Sequence, residues 1–493
     1  MKDSKISQFL SKSLFIKGVQ CHKSLYLQKY YPELKDPIPP SREALFQSGS
    51  EVGILAHELF PGGVEIPFEA GDYDRQVRLT QEAIAKGAKT IYEASFNYDG
   101  IFVKTDILHK GKNGWALYEV KSSTGFKDIY YPDISVQYYV LNGVGIPVTR
   151  AYLVHINNQY VRHGEIDPFT LFSILDVTGT VASDQSSIKE EIAKQKKMLA
   201  GDIPSIDIGP WCNDPYECDF KGYCWQKIPE TSVFSLRGNR VLTFDLYNRG
   251  IVSLDDVEPD ELPRAQRQQV EAIRQKKVFL QKDAVREFLN SLWYPLYFLD
   301  FETFADAIPR FDGIRPYQNV PYQYSLHYLE DESAPPGHYE YLAQPGTDPR
   351  EKITEMLMSQ IPDNACVLAY VASFEKGVLQ DLALWCPEYE DKITRIISHM
   401  IDLAYPFQKR LLYHWQFNGS YSIKSVLPAL VPELGYDSME VRDGEMAGLA
   451  YSRMQKSVDP EEIEEIRKTL LDYCKLDTFA MVKLLEVLKN FAR

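Results

Sequence analysis

A chain of 493 residues is too long for one ordinary core, so two or more domains are expected. Its 44% apolar and 25% charged residues are the proportions of a soluble globular protein, and no run reaches the roughly 18 apolar residues of a membrane span. A net charge of −15 argues against a high-affinity, non-specific coat on nucleic acid, but not against an enzyme that gathers carboxylates around metal ions.

In chain order, Lys2, Lys5, Lys12 and Lys17 break up any apolar core at the N-terminus, so no signal peptide is expected. Residues 1 to about 60 read as helices, and the periodic run from Arg42 to Leu59 stops at Pro61-Gly62-Gly63. A helix from about Asp74 ends at Gly87, a left-handed stop. Strand-like runs follow: TIYEASF, GIFVKTDILH and GWALYEVKSS. The Asn-Gly in KGKNG predicts a hairpin between the last two. A helix near Ser135 to Leu141, a strand RAYLVHI, and a charged helix from Ser187 to Ala200 lead into a loop, PWCNDPYECDFKGYCW.

Residues 231–285 read as a helical connector. From about residue 290 the strands PLYFLDFET, YQYSLHYLE, HYEYLA and CVLAYV alternate with helices, which predicts a mixed α/β sheet. Asp459 as N-cap, Pro460 at N1 and Glu462 as capping-box partner predict a C-terminal helix.

Two constellations carry chemistry. In GWALYEVKSS, Glu119 and Lys121 are two apart and share a face, and Asp106 lies on the preceding strand of the hairpin. Two carboxylates and an ammonium at a sheet edge can hold a divalent cation and stabilise charge at a phosphodiester. His57 comes before them on a helix and Gln137 after them on another. This order resembles the RecB-type PD-(D/E)xK nucleases, especially the branch with an iron–sulfur staple found in CRISPR-associated exonucleases. The resemblance implies that His57, Asp106 and Glu119 hold metal, that Lys121 assists catalysis, and that Gln137 belongs to a QxxxY helix. The fourth residue after Gln137 is here Leu141, with Tyr138 and Tyr139 nearby.

Cys212, Cys218 and Cys224 fall in the one loop, and Cys21 lies near the N-terminus. Four thiolates suit zinc or a 4Fe–4S cluster equally on ligand type. The one-far, three-near pattern resembles the iron–sulfur RecB-like nucleases and implies 4Fe–4S. Cys366, Cys386 and Cys474 read as buried thiols, and seven cysteines in so long a chain suggest a reducing, cytoplasmic setting.

In the second constellation, Asp300 and Glu302 alternate onto one face at the end of an apolar strand, and such a pair is costly to bury unless it binds something. Tyr473 and Asp477 are four apart on a helix, and Glu375 lies where YVASFEKGVL passes from strand to helix. Three or four carboxylates can bind two metals about 4 Å apart for phosphoryl transfer, with Tyr473 orienting water. This half resembles the DEDD (DnaQ-like) exonucleases of the tyrosine variety. That family's second motif is Asn-x-x-Phe followed by Asp; here Val371 and Glu375 replace the Asn and the Asp, and Asp402 is held in reserve. The phrases YQNVPYQYSLH, GSYSIKSVLPALVPELGY and YCKLDTFAMV resemble a bacterial family that fuses the two kinds of domain.

The resulting expectation is an α/β chain. A restriction-endonuclease-like domain occupies 1–230 and an RNase H-like domain 286–493, with the connector between. The expected activity is Mg²⁺- or Mn²⁺-dependent cleavage of nucleic acid, DNA before RNA, at single-stranded ends, in repair or phage defence, with no membrane partner. An RNA exonuclease, or a binding scaffold with an inactive site, are the alternatives. Aromatics at 13%, including 32 Tyr, serve core filling or base stacking.

Overall fold

The computed structural model describes residues 9–493; Lys2, Lys5 and the start of the first expected helix lie outside them. The chain divides into two compact units. One contains the described residues up to Lys227 together with Asp306–Tyr317, the other Ile228–Ala305 with Gln318–Arg493.

Among the described residues, the sheet of the first unit has seven strands: β1 (Leu10–Ser11), β2 (Val64–Glu65), β3 (Thr90–Tyr98), β4 (Ile101–Gly111), β5 (Gly114–Lys121), β6 (Val148–Ile156) and β7 (Phe172–Asp176). Their order is β2-β3-β4-β5-β6-β7, with β1 beside the start of β4. The expected hairpin forms: β4 and β5 run antiparallel up to Gly111 opposite Gly114. Gly114 sits at φ 137°, and a Cβ there would come within 2.7 Å of Thr149, so the turn needs glycine. The helix Tyr130–Gly143 crosses from β5 to its parallel neighbour β6 and buries Ile134, Val140 and Leu141 against Leu117 and Leu153. Leu141 is thus a core residue.

One irregularity positions the chemistry. The β4–β5 ladder ends at Ile107 opposite Tyr118. Beyond it Glu119, Val120 and Lys121 pair only with β6, and Ile101 and Phe102 pair with β1. The sheet therefore forks at Asp106. Since β1 runs straight into the helix Lys12–Gln20, the first residue of that helix lies in the fork.

In the second unit β8 (Val278–Leu280) pairs with β14 (Leu412–His414). The main sheet has β9 (Leu296–Phe304), β10 (Val320–Leu329), β11 (Gly337–Leu342), β12 (Cys366–Ala369) and β13 (Met400–Asp402), in the order β11-β10-β9-β12-β13. The first three are antiparallel, while β12 and β13 run parallel to β9. Along β9 the alternation is strict. Tyr297, Leu299 and Phe301 join a core with Leu357, Val378 and Leu382 from two helices. The opposite face packs against the 33-residue helix Pro460–Ala492 and carries Asp300, held to Cys474 of that helix.

Four features differ from the sequence expectations. Residues 231–285 group with the second unit, because their helices share a core of Val233, Leu246, Leu254 and Val270, and β8 joins β14. Asp306–Tyr317 groups with the first unit, where Ala307 enters the core beside Val52 and Arg162 donates to the carbonyls of Pro309 and Arg310, each at 2.8 Å. The short strand β7 has too few residues for its period to show in sequence. Glu462 forms no capping box. It accepts from Arg453 and Ser457, while Asp459 alone caps the helix through Glu461 N. Among the described residues no helix is long and apolar enough to cross a membrane.

Candidate metal and catalytic centres

In the fork of the first unit, Asp106 uses one carboxylate oxygen to accept from Val120 N at 2.6 Å, taking the hydrogen bond that the missing ladder rung leaves open. Glu119 is fully buried. Its oxygens accept from Lys121 at 2.6 Å, Lys12 at 3.0 Å and Gln137 at 2.6 Å. Lys121 also donates to Asp133 at 2.5 Å, and Lys12 lies 3.3 Å from the other Asp133 oxygen. Burial, then the neighbouring acids Asp106 and Asp133, push Glu119 up to about 7. Burial likewise raises Asp106. Burial would raise Asp133 too, but Lys12 and Lys121 together hold it below its ordinary value.

Asp106, Glu119, Lys121 and Gln137 therefore converge as expected from their spacing. His57 is placed elsewhere: its ring stacks on Tyr92 at 3.9 Å, and the charges acting on it are Glu65 and Glu58. Lys12, Asp133 and Glu93 were not anticipated. Glu93 faces Asp106 electrostatically from β3 and holds a left-handed φ of 58°, a costly conformation for a glutamate within a strand. Asp133 was legible as the residue four before Gln137 on one helix face. Lys12 was not, because its position depends on a pairing between residues about 90 apart.

Cys21, Cys212, Cys218 and Cys224 line one pocket with Ile206, Trp211 and Phe220. All four are free thiols. Burial raises Cys21 and pushes Cys224 up to about 11, and the neighbouring thiols add to both shifts. The loop is tied to the N-terminal helices: Gln20 donates to the carbonyls of Trp211 and Tyr216 at 2.7 Å, and Asp219 pairs with Lys17 and Arg42.

In the second unit Asp300 and Glu302 on β9 meet Asp477 from the long helix and Glu375 from the first turn of the helix Ser373–Trp385. Burial, then mutual repulsion, raises Asp300 and takes Glu302 to about 8. Glu375 also rises to about 8, through burial and then Asp402. Burial takes Asp477 to about 6, against the hydrogen bonds from Tyr436 and Tyr473 and the charge of Lys424. Tyr436 donates to Asp477 at 2.6 Å. Lys424 lies 5.6 Å from the ring centres of both tyrosines. Glu375 is 3% exposed, and its Oε2 has no hydrogen-bond partner.

Four acids crowded in this way cannot all ionise without a cation. Asp402 accepts from Val371 N at 3.0 Å and Ala404 N at 2.8 Å, so it braces the turn before Glu375. In that turn Val371 takes a left-handed φ of 64°, rare for a β-branched residue. Cys366 and Cys386 are buried thiols as expected. Cys474 is buried too, but its sulfur lies 3.6 Å from an Asp300 carboxylate oxygen. Among the described residues, Asp300, Glu302 and Cys474 form a ligand set whose atoms all lie within 4.8 Å of one another. Lys424 and Tyr436 lie in the phrase GSYSIKSVLPALVPELGY, to which sequence alone assigns no chemical role, and they reach the site from the segment between the motifs.

Residues 297–422 match the family described as Domain of unknown function (DUF2779), a span that includes Asp300, Glu302 and Glu375 but ends before Lys424 and Asp477. No curated protein and no solved structure matches the chain.

Proposed function

We propose that the chain is a divalent-metal-dependent nuclease with two centres: a restriction-endonuclease-like first unit with a cysteine-held cluster, and an RNase H-like exonuclease second unit. The observation that carries this reading is the meeting of Asp300, Glu302, Glu375 and Asp477, brought from three separate elements into one buried site. A dication there would neutralise phosphate charge and supply an activated water. For their part, the carboxylates would hold the cation, Tyr473 and Tyr436 fix the rotamer of Asp477, and Lys424 offsets surplus negative charge beside Glu302. The unpartnered Glu375 Oε2 supports the fit, since a buried carboxylate oxygen without a donor is costly unless a cation takes it.

In the first unit, Asp106, Glu119 and Asp133 are the carboxylates that would hold a metal, although among the described residues their ligand atoms do not all lie within 4.8 Å of one another, and Lys121 stands beside them to stabilise developing charge. One observation favours a second reading of this unit, as a binding module: Lys12 and Lys121 already pair with Glu119 and Asp133, although one buried Asp133 oxygen keeps no hydrogen-bond donor.

The cysteine pocket fits a thiolate-bound group. Among the described residues no three of its sulfurs lie within 4.8 Å of one another. Four thiolates suit zinc or a 4Fe–4S cluster equally on ligand type, and the 4Fe–4S reading rests on the one-far, three-near pattern of Cys21 with Cys212, Cys218 and Cys224. The test of function is degradation of end-labelled DNA and RNA, single- and double-stranded, with and without Mn²⁺. Metal-dependent shortening of DNA supports the proposal. Metal binding without turnover on any substrate contradicts it.

A further inference from the structure

The carboxylate site of the second unit contains a sulfur as well as oxygens. Cys474 and Asp477 are three apart on one helix, so both face β9. Cys474 Sγ lies 3.6 Å from Asp300 Oδ2 and forms, with Asp300 and Glu302, the set of ligand atoms all within 4.8 Å of one another. For a tetrahedral zinc with Zn–O of about 2.0 Å and Zn–S of about 2.3 Å, ligand sulfur and oxygen stand about 3.5 Å apart. The free, fully buried Glu375 Oε2 is a separate pointer to a missing cation.

We propose that Cys474 is a metal ligand, giving this site a sulfur donor for a thiophilic dication of the Zn²⁺ or Cd²⁺ class. The inference rests on reading the four acids as a metal site. Hard ions such as Mg²⁺ and Mn²⁺ take carboxylate oxygens and water and leave the thiol protonated. A thiophilic ion forms a bond to sulfur and releases the thiol proton to solvent. With three or more protein ligands drawn around it, such an ion keeps fewer positions for water and phosphate. The same residues thus serve a hard ion as an open site and a soft ion as a closed one, and soft ions block the reaction that hard ions support.

The experiment uses the full chain carrying Glu119→Gln, which removes a carboxylate from the first unit's site, and follows bound Mn²⁺ by its paramagnetic resonance as Cd²⁺ is added. Introducing Cys474→Ser should raise the Cd²⁺ needed for half-displacement by at least roughly 10-fold while leaving Mn²⁺ affinity nearly unchanged. Equal displacement with and without Cys474→Ser overturns the proposal. A second readout is the ultraviolet sulfur-to-cadmium absorption lost on Cys474→Ser, since the four clustered cysteines absorb equally in both chains. That difference should rise in step with Mn²⁺ release, and a difference that is absent, or complete before any Mn²⁺ leaves, also overturns the proposal. Asp300→Asn separates the two levels of inference. If it abolishes this Mn²⁺ signal and displacement is still equal, only the thiol's role falls. If Mn²⁺ binding survives Asp300→Asn, the metal site and the thiol's role fall together.

Discussion

Lys121 touches two carboxylates and carries the only catalytic role assigned to a cation in the first unit. Its ammonium donates to Glu119 and Asp133, so Lys121→Ala removes positive charge from a site that retains Asp106, Glu119 and Asp133. Loss of one such charge stabiliser should slow cleavage by this unit roughly 100-fold or more, measured in a chain whose second site is disabled by Asp300→Ala. Folding should change little, because Lys12 still pairs with Glu119 and Asp133. Rates unchanged by Lys121→Ala would remove it from the mechanism.

The acids of the second site give a pH signature. Glu302 and Glu375 hold their protons in the fold up to about 8, against 4.5 as their ordinary value. Between those pH values the folded chain binds more protons than the unfolded one, so the stability of the metal-free protein falls as pH rises through the window. Mn²⁺ must displace those protons, so its affinity should climb from about pH 6 to about pH 8 and binding should release protons. Calorimetry in buffers of different ionisation enthalpy checks this. A pH-independent Mn²⁺ affinity would contradict the site as described.

At the scale of elements, what was legible follows from local period. The strands β3, β4, β5, β9 and β10 alternate apolar and polar residues or run apolar throughout, and Asn113-Gly114 marked its hairpin. That was enough to bring Asp106, Glu119, Lys121 and Gln137 together, and Asp300, Glu302, Tyr473 and Asp477 likewise. What was not legible depends on long-range pairing. Lys12 enters the fork only because β1 lies beside β4, and the segment carrying Lys424 and Tyr436 reaches Asp477 only through tertiary packing. His57 had the right residue type and order, yet its helix delivers it to Tyr92. The cysteine loop was readable from composition alone, and its ties to the N-terminal helices give a testable consequence. Anaerobically purified protein should be brown, and Cys218→Ser should abolish the colour and lower the melting temperature, since cluster binding energy becomes folding energy. A colourless protein with stoichiometric zinc would exclude the iron–sulfur reading.

At the scale of the whole molecule, each centre draws its residues from one unit. Asp106, Glu119, Lys121, Asp133 and Lys12 belong to the first, and Asp300, Glu302, Glu375, Lys424 and Asp477 to the second. On the proposed function, the two centres are metal-dependent nucleases that should fail separately. The measurement that tests this most directly is the product ladder from end-labelled DNA in Mn²⁺, compared among the unaltered chain, Lys121→Ala, Asp300→Ala and the double variant. Each single variant should lose one class of product and keep the other, and the double variant should lose both. If Lys121→Ala alone eliminates every product, or if the double variant still cuts, the claim of two independent centres is contradicted.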